Sequence, residues 1–276
     1  MMMAILLTCY NRKEKTVNCI KKLLPQLEKL NCSYKFYICD DKSMDGSYEI
    51  LKEMLPDHTI IQSNGNLYWS KGMYTVMEMA VADSCDFYLM VNDDVDFLDD
   101  ALETMFSSYY KAEISCGITG STISGVDGRL TYGGRINQND SHPVRPQEPL
   151  QTCEYANWNC FLIDKEVVEK VGCIDGQYRH GFGDYDYSLR MRRNGIPIFV
   201  AANIIGYCEK NSNRGTFHDE SLSRSQRFIS LFSPKGLPFA SYMRYHIRCE
   251  GKNNIIKYIY GYMSLIWYII RGKEIK

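Results

Sequence analysis

Residues 87–96 read FYLMVNDDVD. Five successive apolar side chains without alternation describe a strand covered on both faces, as in a parallel sheet. Asp93 and Asp94 stand at its carboxyl end, where open α/β sheets bind their ligands. Two more acidic groups follow apolar stretches: Asp40-Asp41 after KFYIC, and Asp184 with Asp186 in GFGDYDYSLR. Carboxylates gathered in one cleft repel one another, so the cluster predicts a divalent cation or another positive partner beside it. The plainer alternative is three separate, solvated loop ends.

Outward from this stretch the chain alternates. Strands over 3–8, 35–39, 59–62 and 86–91, with helices from 13, Ser47 and Lys71, make βαβ units and a mostly parallel sheet. Ser47 is the expected N-cap of YEILKEML. LDDALETMFSSYY continues as a helix, because Leu98, Leu102, Met105, Phe106 and Tyr109 recur at helical spacing. Residues 123–150, rich in Gly, Asn, Asp and Pro, predict a hairpin and then a long loop. CEYANWNCFLI reads as a strand, and DKEVVEKVG as a short helix capped by Asp164 and stopped by Gly172. The expected organisation is an α/β domain over 1–235, with a nucleotide-binding half (1–96) and an acceptor and catalytic half (97–235). A helical appendage follows at 236–276.

The net charge of −1 gives no overall basic field, which argues against nucleic acid as a partner. Eleven cysteines lie scattered without metal spacing, several inside apolar runs, so free thiols in a reducing, cytoplasmic setting are expected. MMMAILLTCYNR lacks the basic and small-residue flanks of a secretory signal and reads as a first strand. Near the other end, IIKYIYGYMSLIWYII (255–270) is short for a bilayer span of about 20 residues. Its aromatics, with Lys252, Arg271, Lys273 and Lys276 beside them, suit an interfacial helix on the inner face of the plasma membrane. Packing on the main domain, or a homodimer contact, is the equal alternative.

Five motifs in order resemble the family-2 glycosyltransferases of the GT-A fold, over about residues 3–235. TCYNR (8–12) is similar to the family's first turn, and CDDKSMDGS (39–47) to its D(D/N)xSxDGS element. NGNLYWSKGM (64–73) is similar to a segment of rhamnosyltransferase-like members, VNDDV (91–95) to the metal-binding aspartates, and GDYDYSLR (183–190) to the Glu-Asp region, with Gly183 in place of the Glu.

The resemblance implies an inverting, metal-dependent enzyme that moves a sugar from a UDP- or dTDP-linked donor to a glycan or lipid-linked (polyprenyl) acceptor in bacterial surface polysaccharide assembly. A carboxylate after strand two can accept a base imide N–H, which assigns Asp40 and Asp41, with Thr8 beside them, to the base. Tyr10, Arg12, Asn66, Trp69, Gly72 and Asp93 fall on the donor side, and Lys71 and Arg214 are phosphate candidates. Asp94 is the first-choice ligand for Mg²⁺ or Mn²⁺, with Asp96 and His218 as further ligand candidates. Asp184 is the candidate base and Asp186 its substitute. Asp184 also fits as an N-cap. Trp158 and Asn159 are candidates for the sugar, although a lone strand Trp is commonly core. The rival functions are a sugar nucleotidyltransferase, whose Gly-rich phosphate loop has no counterpart in TCYNRKEK, and a non-catalytic binding protein on the same fold.

Overall fold

The computed structural model describes residues 1–138, 140 and 142–272. Lys273 and Lys276, two of the basic flanks of the tail, lie outside the described residues. The first half is built as its pattern predicts: β1 (Met2–Cys9), α1 (Lys13–Lys29), β2 (Ser33–Asp40), α2 (Ser47–Met54), β3 (Thr59–Gln62), α3 (Tyr68–Ala82) and β4 (Phe87–Asn92). β3, β2, β1 and β4 pair in that order, all parallel. The strand pleat sorts the side chains of β1 onto two faces. Met3, Ile5, Leu7 and Cys9 join one buried cluster with α1, and Ala4 and Leu6 join another with α3.

Beyond β4 come β5 (Asp96–Phe97), α4 (Ala101–Ala112) and β6 (Gly117–Ile123), which turns back as a hairpin with β7 (Leu130–Tyr132). Two short strands follow, β8 (Gly134–Arg135) and β9 (Thr152–Cys153). The stretch expected as one strand over 153–163 is broken instead. β9 and β10 (Tyr155–Ala156) are separated from β11 (Cys160–Asp164) by a turn that buries Trp158 against Phe161 and Tyr187. β11 inserts antiparallel between β4 and β6. α5 (Lys165–Val171) is capped as expected, the Asp164 carboxylate accepting the Val167 N–H at 2.9 Å, and Gly172 ends it.

Two caps differ from expectation. Gly46, with φ +80°, precedes α2, and Ser47 lies inside the first turn, where its hydroxyl bonds Asp45 at 2.5 Å. Phe182 precedes α6 (Gly183–Arg193), so Asp184 is inside the helix rather than its cap. β12 (Ile198–Tyr207), which the pattern does not announce, pairs parallel to β6 with two register shifts and carries the chain back to the sheet's carboxyl edge.

The tail is helical: α7 (Arg224–Phe232), α8 (Phe239–Glu250) and α9 (Ile255–Arg271). Phe217, Leu231, Tyr262 and Ile269 form a third buried cluster that binds α7 to α9. Packing of the tail is thus observed for one face of α9. No described helix is long and apolar enough to cross a membrane.

Candidate active site

A cavity of about 430 Å³ opens at the carboxyl ends of β1, β2 and β4. Thr8, Tyr10, Arg12, Asp41, Trp69 and Asp93, all singled out in the sequence, line it together. The first turn is pinned before it reaches Arg12: the Asn11 N–H donates to Ser43 Oγ at 2.9 Å, and the Met44 N–H donates to Asn11 Oδ1 at 2.7 Å. Gly72 is buried beneath Thr8. A Cβ there would stand 3.0 Å from Thr8 Cγ2, so the glycine lets α3 approach β1.

The two aspartate pairs do different work. Asp40 is fully buried and accepts the Ser43 N–H (3.0 Å), the Gln62 amide (3.2 Å) and the Cys9 thiol (3.6 Å), so it closes the loop beneath the cavity rather than facing a ligand. Asp41 accepts the N–H groups of Leu67 (3.0 Å) and Tyr68 (2.8 Å), and so holds the start of α3. Asp93 and Asp94 converge on one nitrogen, Arg12 Nη1, at 3.1 and 2.9 Å. The positive partner that the acidic cluster demands is therefore supplied by the chain itself. Burial pushes the Asp93 pKa up to about 6, against the pull of Arg12.

Because one nitrogen fits between these two carboxylates, their oxygens also suit a hard divalent cation. No group of three His, Cys, Asp or Glu ligands occurs among the described residues, so further ligands would be donor phosphate oxygens and water. Two ligand candidates point elsewhere. Asp96, in β5, accepts from Asn18 Nδ2 at 3.0 Å, and the His218 ring packs on Phe217 with centroids 4.1 Å apart. Asn159 is buried between β4 and β12: its carbonyl accepts the Asn92 N–H at 3.0 Å, and its amide donates to Cys208 Sγ at 3.5 Å.

Trp158 is buried in the core, edge-on to Trp69 at 6.0 Å, and does not offer a face to a sugar. Trp69 in turn donates its indole N–H to Asn92 Oδ1 at 2.8 Å. Asn66 and Lys71 are exposed near the start of α3, outside the cavity lining, and Arg214 is exposed beside Gly215, which lines it.

Asp184 and Asp186, two residues apart on α6, diverge. Asp186 is fully buried and held by Arg190 (3.0 Å) and by Arg248 of α8 (2.6 Å to each oxygen), with the Tyr178 hydroxyl at 3.2 Å. A carboxylate so saturated with donors is a structural charge, not a base. Asp184 accepts the Tyr185 N–H at 2.9 Å and hydrogen bonds from the Asn157 side chain and the Trp158 backbone. Burial outweighs these and raises its pKa to about 6. The next residue, Tyr185, lines a second cavity of about 250 Å³ with Arg135, Gln138 and Lys210. His180 and Lys235, which complete the larger cavity, carry no sequence signal: one lies in a loop and the other after α7.

The glycosyl transferase family 2 model matches residues 4–172, more than half of the chain. This protein is a family 2 glycosyltransferase. Its fold is similar to that of S. aureus TarS 1-349 at 12% identity and TM-score 0.55, covering 99% of this chain and 81% of that one. TarS 1-349 in complex with UDP-GlcNAc aligns over the same shares at 11% identity and TM-score 0.55. Mannosyltransferase PcManGT from Pyrobaculum calidifontis, in complex with GDP-Man and Mn²⁺, aligns at 11% identity and TM-score 0.55, covering 98% of this chain and 73% of that one. No curated protein sequence matches. The GT-A architecture of this glycosyltransferase, a mixed α/β fold on a mostly parallel sheet, is thereby established, and the nucleotidyltransferase and binding-only alternatives fall away.

Proposed function

We propose that the 430 Å³ cavity of this glycosyltransferase holds a UDP- or dTDP-linked sugar and that Asp184 drives its inverting transfer to a glycan or lipid-linked acceptor, in bacterial surface polysaccharide synthesis at the cytoplasmic membrane face. The convergence of Asp93 and Asp94 on Arg12, with Arg12 and Asp93 lining the same cavity as Thr8, Asp41 and Trp69, carries this reading. Mg²⁺ or Mn²⁺ held by Asp93 and Asp94 would stabilise the negative charge that grows on the departing diphosphate.

Asp184 supplies the base. As the acceptor hydroxyl oxygen bonds the anomeric carbon, its proton passes to an Asp184 oxygen while the bond from that carbon to the β-phosphate oxygen breaks. A carboxylate with a pKa near 6 is ionised at neutral pH yet basic enough to share the proton in the transition state. Asp184 lies outside the lining of both cavities but beside each: the Trp158 backbone that bonds it carries a ring 6.0 Å from Trp69 of the donor pocket, and its neighbour Tyr185 lines the smaller cavity. The smaller cavity receives the acceptor.

The outer face of α9 supports a peripheral membrane contact. Ile256, Tyr260, Met263, Trp267 and Ile270 are each at least 45% exposed along one stripe. Met263→Glu with Trp267→Glu would abolish sedimentation with anionic liposomes. Loss of a dimer in solution would instead assign the stripe to a second copy.

A panel of UDP-, dTDP- and GDP-sugars, with Mn²⁺ or EDTA, read by released nucleoside diphosphate, tests the main reading. Metal-dependent release from one donor, lost in Asp94→Asn and Asp184→Asn, is expected. Release unaffected by EDTA or by either substitution would overturn it.

A further inference from the structure

We propose that Lys235, which lines the donor cavity together with Arg12, recognises the diphosphate of the donor, so that the C-terminal helices complete the donor site. This rests on the assignment of the cavity to the donor. Arg12 and Lys235 are the cations of its lining, and Arg12 is already shared by two carboxylates. No carboxylate among the described residues forms an ion pair with Lys235, whose charge is therefore left for a ligand. His180 stands in the same lining. Burial, with the charges of Lys235 and Arg12, holds its pKa down to about 4. The imidazole is neutral at physiological pH, so the two long side chains supply the cavity's positive charge.

Lys235 is placed by the tail rather than by the sheet. It lies in a tight turn after α7, where the Gly236 N–H donates to the Ser233 carbonyl at 2.9 Å and the Leu237 N–H to the Leu231 carbonyl at 2.7 Å. A Cβ on Gly236 would collide with the carbonyls of Ser230 and Leu231, the latter at 2.6 Å, so this turn requires glycine. Leu231 is itself locked to Tyr262 and Ile269 of α9. A phosphate-binding lysine on a flexible stem is thus mounted on a rigid base.

Calorimetric titration of the full chain, in Mn²⁺, with nucleoside, nucleoside monophosphate and nucleoside diphosphate tests this. Lys235→Gln is expected to weaken the diphosphate about tenfold while leaving the nucleoside unchanged, and Lys235→Arg to restore most of the loss. Unchanged diphosphate affinity in Lys235→Gln, or equal weakening of nucleoside and diphosphate, would overturn the proposal with the donor pocket intact. Failure of the wild-type protein to bind any of the three would overturn both readings together.

Discussion

Arg12 Nη1 lies 3.1 Å from Asp93 Oδ1 and 2.9 Å from Asp94 Oδ2, a single donor shared by both carboxylates of VNDDV. A metal entering between them must displace this guanidinium, so the arginine competes with free metal. Arg12→Ala should bind Mn²⁺ alone more tightly than wild type, as read by electron paramagnetic resonance, while its turnover falls about 10²-fold for want of a cation at the diphosphate. Unchanged Mn²⁺ affinity would remove the competition.

Asp184→Asn should lose about 10²- to 10⁴-fold in kcat with donor affinity preserved. In the wild type the rate should rise with pH through about 6, as the carboxyl ionises. A variant that retains both its rate and that limb would transfer the base role elsewhere.

Burial raises the pKa of both Asp93 and Asp184 from 3.8 to about 6. The folded protein therefore binds these protons more tightly than the unfolded chain. The stability they contribute is fully present below pH 3.8 and is lost as pH rises through about 6. The unliganded enzyme should melt at a higher temperature at about pH 5 than at about pH 7.5, and Asp93→Asn with Asp184→Asn should flatten that difference. Thermal melts across the window give the answer, and an undiminished difference in the double variant would contradict the assignment.

Arg248→Ala should destabilise the fold by about 3 kcal/mol in urea titrations, because it strips a buried carboxylate of a charged donor whose Nη1 reaches both of its oxygens. Arg190 still reaches Asp186 at 3.0 Å and limits the loss. A change within about 0.5 kcal/mol would show that the pair is neutral to stability.

The sheet was legible because its strands are apolar on both faces, as in ICD and YLMVND, and because acidic residues mark their ends. β12 was not, since Ala201, Ala202 and Asn203 interrupt its apolar pattern where the pairing slips register. Asp184 and Asp186 could not be ranked from spacing, for residues two apart point to different sides of a helix and only the partners Arg190 and Arg248 reveal which side is sealed. Lys235 and His180 were invisible for another reason: Lys235 is placed by the packing of α7 on α9, and His180 by its loop's contact with Tyr68 and Ser70 of α3, long-range contacts that no local pattern encodes.

Arg248 reaches Asp186 from a helix some sixty positions further along the chain, at 2.6 Å to both oxygens. During synthesis the ribosome releases α6 well before α8. Over that interval α6 holds a carboxylate whose only charged partner among the described residues is its own Arg190. The seam between the two helices can therefore close only once α8 has been made.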